Sequence, residues 1–145
     1  MNNIIKFGFV LGLMASTGAC EVFEDQSPEN VNFRLSGSPG AQVQAIYSTR
    51  FVAGVTEENV TEVRIFEADT VFQTLPIDTT VSVLENLQFF VEILPAPTDT
   101  LAVVVKVEID GREVLENDGF IFPLSPWRYV YQFNQLLTAA VEVII

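Results

Sequence analysis

Apolar and polar residues alternate with a period of two through most of the chain from residue 31 onward. Val31, Phe33 and Leu35 alternate with polar neighbours ahead of a turn at residues 37–40, and the same alternation returns at residues 43–48. Side chains that alternate in this way point to opposite faces of a β-strand. Turn residues recur at short intervals between the apolar runs. The pattern therefore predicts an antiparallel all-β domain.

Two runs in the second half of the chain give the strongest strand signals. Residues 101–109 are apolar at every odd position and partly apolar at the even ones, which is typical of a central strand. Asp110-Gly111 follows as a hairpin signal, because a type I′ turn needs positive φ at both central positions. The return strand is expected at residues 113–115. Residues 81–94 exceed the usual strand length of about five or six residues, so we expect a bulge or bend midway.

The last part of the chain continues the β pattern. A strand is predicted at residues 127–134 and a final one at residues 141–145, while residues 135–140 fit either a helical turn or a link. About eight to ten short strands without an amphipathic helix favour a small antiparallel immunoglobulin-like β-sandwich, with a small closed β-barrel as the alternative. This single domain is expected to span residues 31–145.

The residues before this domain have a different character. Residues 1–19 have the layout of a secretory signal peptide, with one Lys, an apolar stretch and then small residues. The apolar stretch is about half the roughly 20 residues that a membrane-spanning helix needs, so we expect cleavage. Residues 20–30 begin with a cysteine and continue with acids and little apolar content, which predicts a flexible acidic tether.

The end of the signal carries a second motif. Thr17-Gly18-Ala19-Cys20 resembles the lipobox of bacterial lipoproteins. The resemblance implies cleavage before Cys20, a diacylglycerol on its thiol and, in many bacteria, a third acyl chain on the new amino terminus. Two or more acyl chains anchor a protein stably in a bilayer. Glu21, in place of an Asp, favours the outer membrane, with the domain facing the periplasm.

Composition excludes several classes of function. The chain has no His, seven Lys plus Arg and nineteen Asp plus Glu, which gives a formal charge of −12 at pH 7. Without His, the chain cannot use Ser-His-Asp or Cys-His catalysis or an imidazole metal ligand. The acidity argues against nucleic acid as a partner. We predict no cofactor and no enzymatic activity.

One constellation is a candidate binding surface. Four aromatic side chains recur at every second position: Trp127, Tyr129, Tyr131 and Phe133. In a strand they share one face, and such a ladder can bind sugars or a protein, because Trp and Tyr combine a large rigid surface with a polar tip. The alternative is that they belong to the core. The opposite face, predicted to face solvent, carries Arg128, Val130, Gln132 and Asn134.

The carboxylates allow two chemical alternatives. Glu67 and Asp69 would share a strand face, from which a paired-carboxylate glycosidase could be built. Calcium is the second, since hard cations prefer carboxylate and carbonyl oxygens; the acids considered are Glu57, Glu58, Glu113, Glu116 and Asp118. Both sets also fit a solvated acidic surface, and we predict neither a catalytic residue nor a metal site. Lys106 lies within an apolar strand without a partner identifiable from the sequence.

Three features recur in the order of a known family. They are an apolar strand with a Gly turn at residues 33–37, the Leu75-Pro76 step and the hairpin at residues 107–114. In this order they resemble the small β-sandwich of mycobacterial membrane protein small accessory subunits. The resemblance implies an immunoglobulin-like fold and an accessory role beside a lipid exporter. Those relatives carry an N-terminal transmembrane helix, whereas this chain has a lipobox.

These observations predict a non-enzymatic lipoprotein of the bacterial envelope, anchored by Cys20 and acting as an interaction or structural module. Two alternatives remain open at this point. The first is an accessory subunit of an envelope transport or assembly complex, with a protein partner in the envelope. The second is a calcium-dependent or carbohydrate-binding module.

Overall fold

The computed structural model describes residues 26–144, and all regular structure within them is β-strand. No helix in this part of the chain is long and apolar enough to cross a membrane. The nine strands are β1 (Asn30–Gly37), β2 (Gln42–Val55), β3 (Thr61–Thr74), β4 (Ile77–Ser82), β5 (Gln88–Pro95), β6 (Leu101–Ile109), β7 (Arg112–Ile121), β8 (Trp127–Gln132) and β9 (Val141–Ile144). The all-β prediction is confirmed.

The strands form two sheets packed face to face, which confirms the predicted sandwich. The four-stranded sheet has the order β4-β1-β6-β7, and the five-stranded sheet has the order β8-β5-β2-β3-β9. All neighbouring strands are antiparallel except β3 and β9, which run parallel. The five-stranded sheet curls so that its two edge strands, β8 and β9, contact each other.

The main core lies between the sheets and follows the predicted alternation. Odd positions of β1 and β6 point inward from one sheet, and odd positions of β5 point inward from the other. Burying such side chains is worth about 1.5–3 kcal/mol each before the entropic costs. The largest core side chains with no more than 1% exposure include Phe33, Leu35, Phe89, Ile93 and Ile121.

The predicted hairpin turn also fixes the place where the chain enters the domain. Asp110 and Gly111 have φ values of 49° and 76°, as a type I′ turn requires. The Asp110 carboxylate accepts backbone N–H bonds from Glu29 at 3.1 Å and from Asn30 at 2.9 Å. We call this end of the sandwich the entry pole. The opposite end, where Leu101 pairs with Ile121, is the distal pole.

A β-bulge interrupts the pairing of β2 with β3. Tyr47 pairs with Asp69 and Arg50 pairs with Glu67, so β2 advances three residues where β3 advances two. The Ser48 hydroxyl holds this extra residue in place, because it donates to the Glu67 carbonyl at 2.6 Å and accepts the Arg50 N–H at 3.0 Å. Each extra residue in a strand moves the following side chains to the other face.

A second shift compensates for the first. Phe51 pairs with Ile65, so β3 now carries the extra residue and pairing returns to register. Beyond this point both strands present their apolar side chains to the outer face of the five-stranded sheet. A second cluster forms there from Phe51, Val63, Phe90 and Val130, with Ala53, Ile65, Leu137, Val141 and Val143 packed against it.

The bounds of some strands differ from prediction. Residues 81–94 are not one bent strand, because β4 and β5 lie in different sheets and residues 83–87 cross between them. Strand β7 is longer than the predicted 113–115, since it stays paired with β6 as far as Ile121. Residues 135–140, for which a helical turn and a link were both open, form a link between β8 and β9.

Strands β1 and β6 approach each other closely at Gly37. A Cβ there would overlap the carbonyl oxygen of Ala102 and lie 3.3 Å from Cγ1 of Val103. Gly37→Ala should therefore lower the free energy of unfolding by about 1–3 kcal/mol in urea denaturation. Gly119→Ala is the matched control, because a Cβ at Gly119 meets nothing within 4 Å. Equal stability of the two variants would contradict the close approach.

Candidate functional site

The predicted aromatic ladder lies on β8, an edge strand of the five-stranded sheet. Trp127, Tyr129 and Tyr131 are half-buried and pack against the main core from the inner face. The Trp127 ring stacks on Phe33, with centroids 5.9 Å apart, and on Tyr129, with centroids 6.3 Å apart and an interplanar angle of 6°. Phe133 lies one residue beyond β8, where its N–H donates to the Leu87 carbonyl at 2.9 Å.

The ladder borders an opening between the two sheets. Strands β7 and β8 are the edges of their respective sheets on this side of the sandwich. A cavity of about 530 Å³ extends along them and around the edge of β8. Leu115 and Asn117 line it from β7, and Trp127 and Tyr129 line it from β8. We call this opening the β7–β8 slot.

Tyr129 in the slot and its neighbour Tyr131 both titrate above the ordinary tyrosine pKa. Burial raises the pKa of Tyr129 to about 12, and the neighbouring Tyr131 adds to the shift. Burial also raises the pKa of Tyr131, with Arg112 opposing and Asp110 reinforcing this effect. Both phenols remain hydrogen-bond donors at neutral pH, and Asn117 and Arg128 add further polar groups to the lining of the slot.

The opposite face of β8 is not the solvent face that the sequence predicted. Val130 is 8% exposed and belongs to the second apolar cluster. Arg128 forms an ion pair with Glu92 of β5 and also donates to the Val141 carbonyl at 3.3 Å. Gln132 donates to the Gln88 side-chain oxygen at 3.3 Å. The prediction is wrong for Val130, Arg128 and Gln132, because β9 and the link before it cover this part of the face, whereas Asn134 is exposed as predicted.

The two carboxylates considered for glycosidase chemistry lie in different environments. Glu67 forms an ion pair with Arg50, with 2.6 Å between Oε2 and Nη1. About two thirds of each of these side chains is exposed. Asp69 lines a separate cavity of about 420 Å³ between β4 and the β2–β3 pair. The arrangement thus supplies a solvated ion pair at Glu67 rather than an acid and a base facing each other.

The acids considered for calcium are also spread over the surface. Lys106 contacts Glu113 at 2.8 Å and Glu108 at 3.3 Å, so the partner that the sequence did not reveal is a pair of acids. Its ammonium lowers the pKa of Glu113. Within residues 26–144, no group of three or more acids or thiols could hold a metal ion.

The structure reveals an apolar surface that sequence reasoning missed. Four large side chains at the distal pole are exposed: Phe72 (82%), Phe120 (66%), Phe122 (52%) and Leu124 (97%). We call these four the distal apolar surface. A groove of about 500 Å³ runs between Phe72 and Leu124, with Leu94, Pro95 and Pro123 in its lining. The available signal was the period-two run of Phe120, Phe122 and Leu124, interrupted by prolines, which the pattern alone did not mark as a surface.

Cys20, the predicted lipidation site, lies outside the described residues together with the predicted signal peptide. The chain matches no protein-family model, and comparison with curated proteins and with solved structures likewise gives no match. The lipobox and the similarity to small accessory subunits therefore stay predictions. Functional interpretation rests on the residues and surfaces described above.

Replacing Tyr129 by Phe tests the buried phenol of the slot. The folded pKa of about 12 lies above the ordinary value of 10.0, so ionisation favours the unfolded chain. The stabilising contribution is complete below about pH 10 and is lost as the pH rises toward 12. Between about pH 9 and pH 12, the wild type should lose up to about 2 kcal/mol more unfolding free energy than Tyr129→Phe.

The measurement is denaturant unfolding across this pH range, with tyrosinate absorbance recorded in parallel. Tyr131→Phe is the control, since Tyr131 is less buried and its removal should leave the highest titration step in place. Equal losses of stability in the wild type and in Tyr129→Phe would show that the phenol is not desolvated.

Proposed function

We propose that this chain is a non-enzymatic lipoprotein of the bacterial cell envelope, anchored through Cys20, whose β-sandwich binds a protein partner. The observation that carries the proposal is the separation of the chain entry from the exposed apolar side chains. The chain enters at the entry pole, where Asp110 holds Glu29 and Asn30. The distal apolar surface lies at the other end of the domain.

The distances suit a domain that projects from a membrane. Strand β6 runs from Ile109 at the entry pole to Leu101 at the distal pole, a length of about 26 Å at 3.3 Å per residue. Glu29 and Asn30 are held by Asp110, so a fully extended tether over residues 21–28 would add at most roughly 26 Å. The distal apolar surface could thus reach a partner up to roughly 50 Å from the lipid.

The surface itself supports a protein partner. Exposed apolar side chains that line a common groove, as Phe72 and Leu124 do, often mark an interaction site. A net charge of −12 works against contact with anionic lipid headgroups. A protein partner can cover Leu124 and Phe72 without that repulsion. Membership of a transport or assembly complex would be one form of this function. Identifying the partner would decide whether this protein belongs to such a complex.

Cys20→Ala tests the anchor. The variant should leave the membrane fraction or accumulate with its signal uncleaved, because the thiol that would carry the diacylglycerol is gone. Fractionation and intact-mass measurement of the expressed protein distinguish these products. Ser16→Ala, in the same segment, is the control and should be anchored like the wild type. Normal anchoring of Cys20→Ala would overturn the lipoprotein proposal.

A matched pair of leucines tests the interaction surface. Leu124 is 97% exposed at the distal pole, and Leu136 is 98% exposed beyond the end of β8 at the entry pole. Replacing either by Ser removes similar apolar area without creating a cavity. In the native envelope, the yield of the specific crosslinked product should fall at least about fivefold in Leu124→Ser, equivalent to about 1 kcal/mol. The yield should stay unchanged in Leu136→Ser. Loss in both variants, or in neither, would contradict a distal binding surface.

A further inference from the structure

We propose that the partner adds an extended segment to the free edge of β7 as a further strand, with basic residues on one face and apolar residues on the other. This inference rests on the proposed function and names the mode of binding. Strand β7 spans ten residues and pairs only with β6 among the described strands. A long unpaired edge offers a row of backbone donors and acceptors to an incoming strand.

The inner face of such a strand would meet the β7–β8 slot. Leu115 and Asn117 point into the slot from β7, with Trp127 and Tyr129 opposite. The aromatics are only half-buried, because β8 is an edge and no described strand lies between β8 and β7. A strand paired with β7 would direct alternate side chains into this space. Most of those side chains should be apolar, since they face the aromatic rings and Leu115, while Asn117 adds a polar group from β7.

The outer face of the same strand would meet carboxylates. Glu116 pairs with Lys106 and Asp118 pairs with Val104 across the β6–β7 ladder, which places both acids on the outer face. Lys106 is already bonded to Glu113 and Glu108. Opposite charges on facing strand positions are stabilising, and like charges are destabilising. The outward residues of the added strand are therefore basic opposite Glu116 and Asp118.

The order along β7 fixes the sequence pattern of the occupant. Phe120 follows Asp118 on the outer face and is 66% exposed. An antiparallel segment would begin with an outward apolar residue opposite Phe120 and continue with outward basic residues opposite Asp118 and Glu116, separated by inward apolar residues. A second copy of β7 does not fit this pattern, because its own acids would face Glu116 and Asp118.

The single Trp of the chain reports on the slot directly. The probe is a ten-residue peptide without Trp, alternating Leu and Lys, titrated into the full-length protein in detergent micelles while Trp127 fluorescence is followed. A peptide of the same composition in scrambled order controls for charge alone. A peptide with Glu in place of Lys controls for apolar contact alone. Binding of the alternating peptide, at least about tenfold tighter than both controls, is the expected result.

Two charge-reversal variants locate the site. Glu116→Lys combined with Asp118→Lys should weaken the Lys peptide at least about tenfold and admit the Glu peptide. Glu57→Lys combined with Glu58→Lys changes the net charge equally, in the exposed turn between β2 and β3, and should leave the affinity unchanged. Equal weakening by both double variants would show general electrostatic capture and would overturn the proposal.

Backbone methylation separates strand addition from side-chain contact. N-methyl groups on alternate residues block hydrogen bonding along one edge of the peptide only. One of the two methylated sets should abolish the fluorescence change, and the other should preserve it. Equal behaviour of both sets, or no binding of the alternating peptide, would overturn strand addition. Anchoring through Cys20 and crosslinking through Leu124 would remain intact in that outcome, so the proposed function would stand by itself.

Discussion

Strand β5 is buried on both faces, and most of the architecture follows from the need to cover it. Phe89, Val91 and Ile93 pack into the main core, while Phe90 packs into the second cluster on the outer face. The four-stranded sheet covers the first set. The double bulge, β9 and the link before β9 together exclude water from the second set. The curl of the five-stranded sheet is thus the shape that buries both sides of one strand.

Basic side chains are few in this chain, and most of those in the domain form ion pairs. Arg34, Arg50, Lys106 and Arg128 are each engaged by carboxylates. Among the ion pairs of residues 26–144, that of Arg128 with Glu92 is the most shielded from solvent, and it links β8 to β5 beside the second cluster. The surplus of acids is left on the surface, where it favours basic partners and repels acidic ones over the range of a Debye length.

Local signals in the sequence predicted the strands, the hairpin at Asp110-Gly111 and the central place of β6. They did not predict strand order, because alternation reports which residues are buried and not which strand covers them. The outer face of β8 shows this limit: Arg128 and Gln132 look solvated, yet Val130 between them is buried by residues that follow in the chain. The distal apolar surface was not predicted, because apolar residues at every second position indicate a strand with one buried face, whereas these side chains are exposed.

The entry of the chain at β1 has a mechanical consequence. β1 is a central strand, paired with β4 on one side and β6 on the other, and its first residue lies at the entry pole. A pull on the N-terminal side of the chain is therefore directed along the axis of β1. The interstrand hydrogen bonds lie across that axis, so they carry the load together in shear rather than opening one after another. Such a strand resists force better than an edge strand peeled from its end, as the proposed N-terminal anchor would require.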